Sequence, residues 1–284
     1  MKLTSRRTGG DPDLHFVEGP AHGPPLLLLH GVARGWKDFQ PLLPALLQDW
    51  HIFALDLRGH GHSARGRGEY RVIDYVGDVV RFLRQQFQQS VFLYGHSLGA
   101  MVTLAAAAEA PDHVSSIALE DPPFHMMGER LHETSYHSIF AGMQALAGSM
   151  SSAEEVARRL AEIPVVVTPR APPVRLGALR DEASLRFSAE CLLDLDPAVF
   201  DPVLPGRWLE GYDTPRILAR VRCPTLLLQG DPVAGSALAE TDAQSLLDAL
   251  PDCRRVRFPG TGHQIHWQQP EAVLRAIREF AARR

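Results

Sequence analysis

Val91-Phe92-Leu93-Tyr94-Gly95-His96-Ser97-Leu98-Gly99 carries the reading of this chain. Its first four residues form a short apolar run that reads as a buried strand. The next five match G-x-S-x-G, and the Ala-rich stretch Leu98–Glu109 continues as a helix. A strand that turns sharply into a helix needs glycines where the two backbones approach. The central Ser97 then projects from the bend with its hydroxyl exposed. The Leu98 N–H, opening the helix, points toward developing negative charge, with the helix N-terminal dipole behind it. The plain alternative is a glycine-softened turn with a capping serine; the strand–turn–helix setting favours a nucleophile.

Outward from this elbow, short apolar runs alternate with helical stretches. Strands are expected at Lys2–Arg7, Leu14–Glu18, Pro25–Leu29, His51–Leu55, Val114–Leu119, Thr225–Gln229 and Arg254–Phe258. Helical spacing covers Trp36–Leu47, where Pro41 and Pro44 interrupt it, and also Ile73–Phe87, Ala239–Leu250 and Pro270–Ala282. This alternation predicts an α/β fold with a mostly parallel sheet. After Pro122-Pro123 it breaks for roughly ninety residues, far longer than an ordinary connection. That stretch holds helical segments at Ser152–Ile163 and Ala183–Leu195 and a Pro-rich piece at Val165–Val174. It reads as an inserted helical cap over residues 123–215, with a core domain made of residues 1–122 and 216–284.

Acyl transfer from a serine needs two N–H donors at the tetrahedral oxyanion and a base within reach of the hydroxyl. His30-Gly31-Val32 ends the Leu26–Leu29 run, and Gly31 gives the backbone freedom to aim the Val32 N–H as the second donor beside Leu98. Gly260-Thr261-Gly262-His263 follows a strand and precedes the last helix. Carboxyl ends of parallel strands share one edge, so His263 is the expected base. His266, three residues on, is the competitor. His60 and His62 stand at metal-like i, i+2 spacing but lack an accompanying ligand cluster, and they read as loop residues. His96 is expected to support the neighbours of the elbow.

Composition limits the alternatives. The 284 residues suffice for one large α/β domain or two ordinary ones, and 45% apolar content can fill a sizeable core. A net charge of -4 gives no electrostatic footprint for nucleic acid or for an anionic membrane. Cys191, Cys223 and Cys253 are odd in number and far apart, which fits a reducing compartment better than a disulfide framework. The opening MKLTSRRTGGDPDLHF has no apolar stretch of the kind a signal peptide needs, and no run is long enough to span a bilayer. A cytoplasmic protein is expected, with no cofactor, no metal, no nucleic acid or membrane partner, and a small-molecule acyl substrate.

Together, His30-Gly31, Asp56–Ser63, Gly95–Gly99 and Gly260–His263 resemble the α/β-hydrolase superfamily, in particular a serine-nucleophile, esterase- or lactonase-like branch with an inserted cap. The resemblance covers nearly the whole chain outside residues 123–215. It implies an eight-stranded, mostly parallel sheet with a helical lid after the sixth strand, and a site-shaping rather than catalytic role for Asp56–Ser63. The triad acid departs from the commonest pattern. Many relatives carry G-x-x-D after the seventh strand, whereas here the stretch reads Gly230-Asp231-Pro232-Val233. A second branch, resembling dehalogenases and some lactone hydrolases, places the acid just after the sixth strand, where Asp121 stands. Asp121 is the favoured acid, with Asp231 as the alternative and Glu120 behind it; for each, a turn or capping role before proline is the plain alternative.

Serine rather than aspartate at position 97 excludes the carboxylate-nucleophile chemistry of dehalogenases and epoxide hydrolases. It favours hydrolysis of an ester, lactone, thioester, amide or activated C–C bond. A carboxylesterase-like enzyme acting on a small to medium hydrophobic acyl substrate is expected. Phe124, Met126, Met127, Tyr136, Phe140, Met143 and Trp208 are candidates to line its pocket, or else to pack the lid onto the core. The rivals are a ligand receptor on a hydrolase scaffold with slow turnover, a C–C bond hydrolase and a cofactor-free haloperoxidase.

Overall fold

A computed structural model describes residues 2–68, 70–128, 130–166 and 172–283. The Pro-rich stretch expected at Val165–Val174 lies in part outside these residues. Strands β1 (Thr4–Arg7), β2 (His15–Glu18), β3 (Pro25–Leu29), β4 (His51–Leu55), β5 (Val91–His96) and β6 (Val114–Glu120) come first. The short pair β7 (Pro164–Val165) and β8 (Val174–Arg175) follows, then β9 (Thr225–Gln229) and β10 (Cys253–Arg257). Eight of them form one sheet in the order β1-β2-β4-β3-β5-β6-β9-β10. Strand β2 runs antiparallel to both of its neighbours, and every other pair is parallel. The fold is the mostly parallel α/β sheet that the alternating pattern predicts.

The central strands are continuous apolar runs because both faces of the sheet are covered. Alternate residues of β3 serve different cores. Leu27 and Leu29 pack with α2 (Val72–Gln86) and α3 (Leu98–Glu109), while Leu26 and Leu28 pack with α1 (Leu43–Asp49) and α10 (Pro270–Ala281). Helix α3 is buried over its whole length except Glu109, which is why its sequence is Ala-rich rather than amphipathic. By contrast, α2 and α10 keep polar outer faces.

The helix expected over Trp36–Leu47 is two elements, a 3-10 turn at Trp36–Phe39 and α1. The break falls at Gln40-Pro41-Leu42, where proline has no N–H for a helical ladder. Pro44 is tolerated because it sits in the first turn of α1, where the N–H groups lack intrahelical partners anyway.

Between Glu120 and Thr225 the chain leaves the sheet. It forms α4 (Ser135–Gln144), α5 (Ala153–Ala161), α6 (Glu182–Leu193), the short α7 (Thr214–Leu218) and the β7–β8 pair. After β9 come α8 (Glu240–Ala249), β10, the single turn α9 (Ile265–Gln268) and α10. Among the described residues no helix is long and apolar enough to cross a membrane.

Because β3, β5, β6 and β9 run the same way, the turns after them gather at one sheet edge. Among the described residues, the non-glycine residues with positive φ are Ala33, Ser97 and Asp121, at 59°, 54° and 47°, and each lies just beyond the end of one of these strands. Left-handed backbone at ordinary residues is costly and persists only where the surroundings enforce it. Its clustering at one edge coincides with the turns that carry the expected site residues Val32, Ser97 and Asp121.

Candidate active site

Ser97 sits between β5 and α3 with φ 54° and ψ −116°. Its N–H donates to the Glu120 carbonyl at 2.9 Å, which ties the bend to the end of β6. The glycines on either side have no room for a side chain. A Cβ on Gly95 would stand 2.2 Å from the Gly99 carbonyl oxygen, and one on Gly99 would stand 1.9 Å from that of Leu29. The strand and helix therefore close on each other more tightly than any other residue allows, and the hydroxyl is carried out on the bend.

The turn after β3 runs beside it. A Cβ on Gly31 would lie 3.2 Å from Ser97 Cβ, so the loop backbone passes directly against the serine. The loop is braced from below. Ala33 N–H donates to His60 Nε2 at 3.2 Å, and His60 Nδ1–H donates to the Arg58 carbonyl at 2.9 Å. Burial, with His30 nearby, pushes the His60 imidazole down to about 3, so it stays neutral and keeps an acceptor for Ala33. Asp56 accepts from Trp36 N–H at 2.7 Å, from His62 N–H at 3.1 Å and from His15 Nδ1 at 2.7 Å. The Asp56–Ser63 stretch thus braces the turn after β3 through hydrogen bonds. Among the described residues, neither the Val32 nor the Leu98 N–H donates to a protein acceptor.

His263 Nδ1 donates to Asp121 Oδ2 at 2.6 Å. Asp121 is fully buried and is held from three further sides, by Ala237 N–H at 2.7 Å, Ser236 Oγ at 2.5 Å and Gly230 N–H at 3.3 Å. Burial lowers the His263 imidazole below its usual value, against the pull of Asp121, which raises it. Its Nε2 is left as the basic nitrogen. Among the described residues Ser97 Oγ makes no side-chain hydrogen bond, but it lines the same small cavity as His263. Such contacts often close only when substrate arrives.

The other acids and histidines stand elsewhere. Asp231 accepts from Val233 N–H and Gly260 N–H, both at 2.9 Å, and closes a surface turn, while the His263 imidazole bonds Asp121 instead. Glu120 pairs with His266, whose Nδ1 lies 2.8 Å from Oε1, and Tyr94 Oη donates to the same carboxylate. Both groups of that pair are fully buried. His96 Nε2 donates to the His263 carbonyl at 3.1 Å and its ring lies 4.7 Å from the His263 ring, so the residue before Ser97 steadies His263.

Asp38, His96 and His266 bring one potential metal-ligand atom each within 4.8 Å of one another. Both His266 nitrogens are committed, however, to Glu120 and to the Asp38 carbonyl, and Trp267 Nε1 donates to Asp38 Oδ1. The cluster reads as a hydrogen-bonded buried network.

A cavity of about 60 Å³ holds Ser97, His263, Gly31 and Val32, and it shares walls with a wide outer cleft of about 1600 Å³. Met127, Tyr136, Phe140 and Met143 line the small cavity, whereas Met126 lines the cleft. Phe124 and Trp208 line neither; both are buried in the apolar core, and the expectation that they touch substrate is corrected. Aromatic residue type signals burial without telling which face it serves. The sequence reading also missed Ser236, Asp38, Arg34 and Arg180. No local motif marks them, because their roles arise from contacts across the chain.

The sequence profile described as "alpha/beta hydrolase fold" matches residues 24–134. The 2-(acetamidomethylene)succinate hydrolase of Mesorhizobium japonicum is 30% identical over 276 residues, covering 93% of this chain and 90% of that protein. The pimeloyl-[acyl-carrier protein] methyl ester esterase of Chromobacterium violaceum is also 30% identical, over 93% of this chain and 96% of its own length. Among solved structures, that of E-2-(acetamidomethylene)succinate hydrolase superposes with a TM-score of 0.76 at 24% identity, covering 99% of this chain and 100% of the other.

Proposed function

This chain belongs to the α/β-hydrolase family and is a hydrolase, and we propose that it cleaves carboxylic esters or related acyl bonds with Ser97 as nucleophile, His263 as base and Asp121 as acid. The observation that carries the proposal is the 2.6 Å bond from His263 Nδ1 to a fully buried Asp121, beside a serine at a left-handed strand–helix bend. Asp121 holds the imidazole in the tautomer that leaves Nε2 free, and it stabilises the imidazolium that forms. His263 takes the Ser97 proton as the oxygen attacks the substrate carbonyl. The free N–H groups of Val32 and Leu98 receive the oxyanion, each contributing about 3 kcal/mol to the transition state. The imidazolium then gives its proton to the leaving group, and a water activated by the same nitrogen releases the acyl group.

The acyl part rests on an apolar wall of Met127, Ile139, Phe140 and Met143. Residues 123–215, which carry this wall, act as the cap that selects substrate. A fluorophosphonate probe should label wild-type protein at Ser97 and leave Ser97→Ala unlabelled. On p-nitrophenyl esters Ser97→Ala should lose at least 10³-fold in kcat. Undiminished turnover in that variant rules the assignment out.

A further inference from the structure

The cavity that holds Ser97 has two arginines in its wall, Arg34 from the turn after β3 and Arg180 from just before α6. Both also line the outer cleft, so they stand where the two spaces meet. Each is positioned mainly by neutral groups. Arg34 Nη1 donates to Ser188 Oγ at 3.0 Å, and its guanidinium lies 5.4 Å from the Phe187 ring centroid. Arg180 Nη1 donates to Gln264 Oε1 at 3.0 Å, on the residue that follows His263.

Guanidinium groups withdrawn from water usually meet a carboxylate. Here the acids nearby are engaged. Asp38 approaches Arg34 only to 3.9 Å, while it also accepts from Trp267 and faces His96 and His266. Asp181 caps α6 by accepting from Ser184 N–H at 2.7 Å, and Glu133 in the cleft pairs with Arg130 at 3.0 Å. Among the described residues Arg180 forms no ion pair, and its charge is opposed first by burial and then by Arg34. Two cations that line the same cavity, one of them in no ion pair among the described residues, make a site that an anion completes. A planar guanidinium fork matches a carboxylate in particular.

We propose that Arg34 and Arg180 bind a free carboxylate on the acyl substrate, so that the preferred substrates are acyl compounds with a second, unesterified carboxyl group a few bonds from the scissile carbonyl. The inference rests on Ser97 being the nucleophile. The apolar wall then covers the short methylene segment between the two carboxyl carbons, and the spectator carboxylate fixes which carbonyl faces Ser97.

The test compares the mono-p-nitrophenyl ester of glutaric acid with p-nitrophenyl valerate, a neutral ester of similar length. Wild-type kcat/KM should favour the charged ester at least tenfold. Arg180→Gln should lower that ratio at least tenfold, mainly through KM, and Arg180→Lys should restore part of it. Arg158→Gln, on the exposed face of α5, should leave the ratio unchanged. Glutarate, and not inorganic phosphate, should slow fluorophosphonate labelling of Ser97. A wild-type ratio near or below one, a ratio that Arg180→Gln does not move, or equal protection by phosphate overturns the carboxylate assignment while labelling of Ser97 persists. Absence of both labelling and turnover overturns the nucleophile itself, and this inference with it.

Discussion

Glu120 and Asp121 are consecutive in the chain, yet they serve two different histidines: Glu120 pairs with the fully buried His266, and Asp121 with His263 at the cavity. Strand alternation sends neighbouring side chains to opposite faces, and the left-handed turn at Asp121, φ 47°, swings its carboxylate up to the sheet edge. The pair thus separates a buried structural ion pair from the proposed catalytic one within two residues. Burial opposes the charge on His266, but Glu120 and Asp38 outweigh it and hold the imidazolium up to about 10. A histidine whose folded value exceeds its unfolded 6.5 contributes stability that is complete below 6.5 and is lost as pH rises through about 10. Wild-type melting temperature should therefore fall steadily over that interval. His266→Gln should flatten this limb and cost on the order of 3–5 kcal/mol near neutrality, because Glu120 is left buried and unpaired. Denaturation curves from pH 6 to 10 check it, and a parallel decline in the variant would refute the assignment.

Asp121→Asn should cost about 10³–10⁴-fold in kcat while the protein stays folded, since an amide in place of the carboxylate favours the wrong imidazole tautomer. The Asp231→Asn variant should stay within a few-fold of wild type, because Asp231 only closes the turn to Val233 and Gly260. Reversed effects in ester hydrolysis would move the triad acid to the end of β9.

The acid limb of kcat/KM should have its midpoint below the ordinary histidine value of 6.5, since burial lowers His263 more than Asp121 raises it. Only the neutral imidazole accepts the Ser97 proton, so the rate falls as pH drops through this midpoint. A pH–rate profile with a neutral ester reads it directly, and a midpoint clearly above 6.5 would contradict the stated balance.

Gly99→Ala should disrupt the elbow itself. The added Cβ would meet the Leu29 carbonyl oxygen at 1.9 Å and the His30 carbonyl oxygen at 2.8 Å, both backbone atoms in the central strand and its turn. Neither moves without shifting β3. Overpacking of this kind costs about 1–3 kcal/mol or more, and activity should be lost along with stability. Gly77→Ala, on α2 with open space around its Cβ position, is the matched control and should be neutral to slightly stabilising in urea denaturation.

Much of this was legible in the sequence for a physical reason: local contacts set it. The bend at Ser97 is fixed by Gly95, Gly99 and the adjoining strand and helix, and the run Thr225–Gln229 has the composition of a strand covered on both faces. The break at Pro41 follows from a missing N–H. The choice between Asp121 and Asp231 was legible only as a preference for Asp121, because both follow parallel strands at one edge and only three-dimensional register tells which faces His263. The arginine pair was hidden more deeply. Arg34 and Arg180 are 146 positions apart (180 − 34) and carry no motif. Phe124 and Trp208 misled because a large aromatic residue suits a pocket wall and a core equally well.

His60 shows how a residue outside the cavity bears on the turn that carries the proposed oxyanion donor. Its neutral imidazole accepts from Ala33 N–H, and Ala33 is one residue beyond the proposed donor Val32 and holds a left-handed φ of 59°. Replacing His60 by leucine removes the acceptor and leaves a buried N–H unsatisfied, at a cost of about 1–3 kcal/mol. The same loss frees the backbone to relax from its left-handed conformation, which turns the Val32 N–H away from the oxyanion. Kcat should fall about tenfold or more, with KM for a neutral ester changing much less, since the donor acts on the transition state. His60→Gln keeps an acceptor at similar reach and should recover part of the rate. A merely structural role predicts lower stability in His60→Leu with kcat intact at temperatures where it is folded, and that result would detach the loop brace from catalysis.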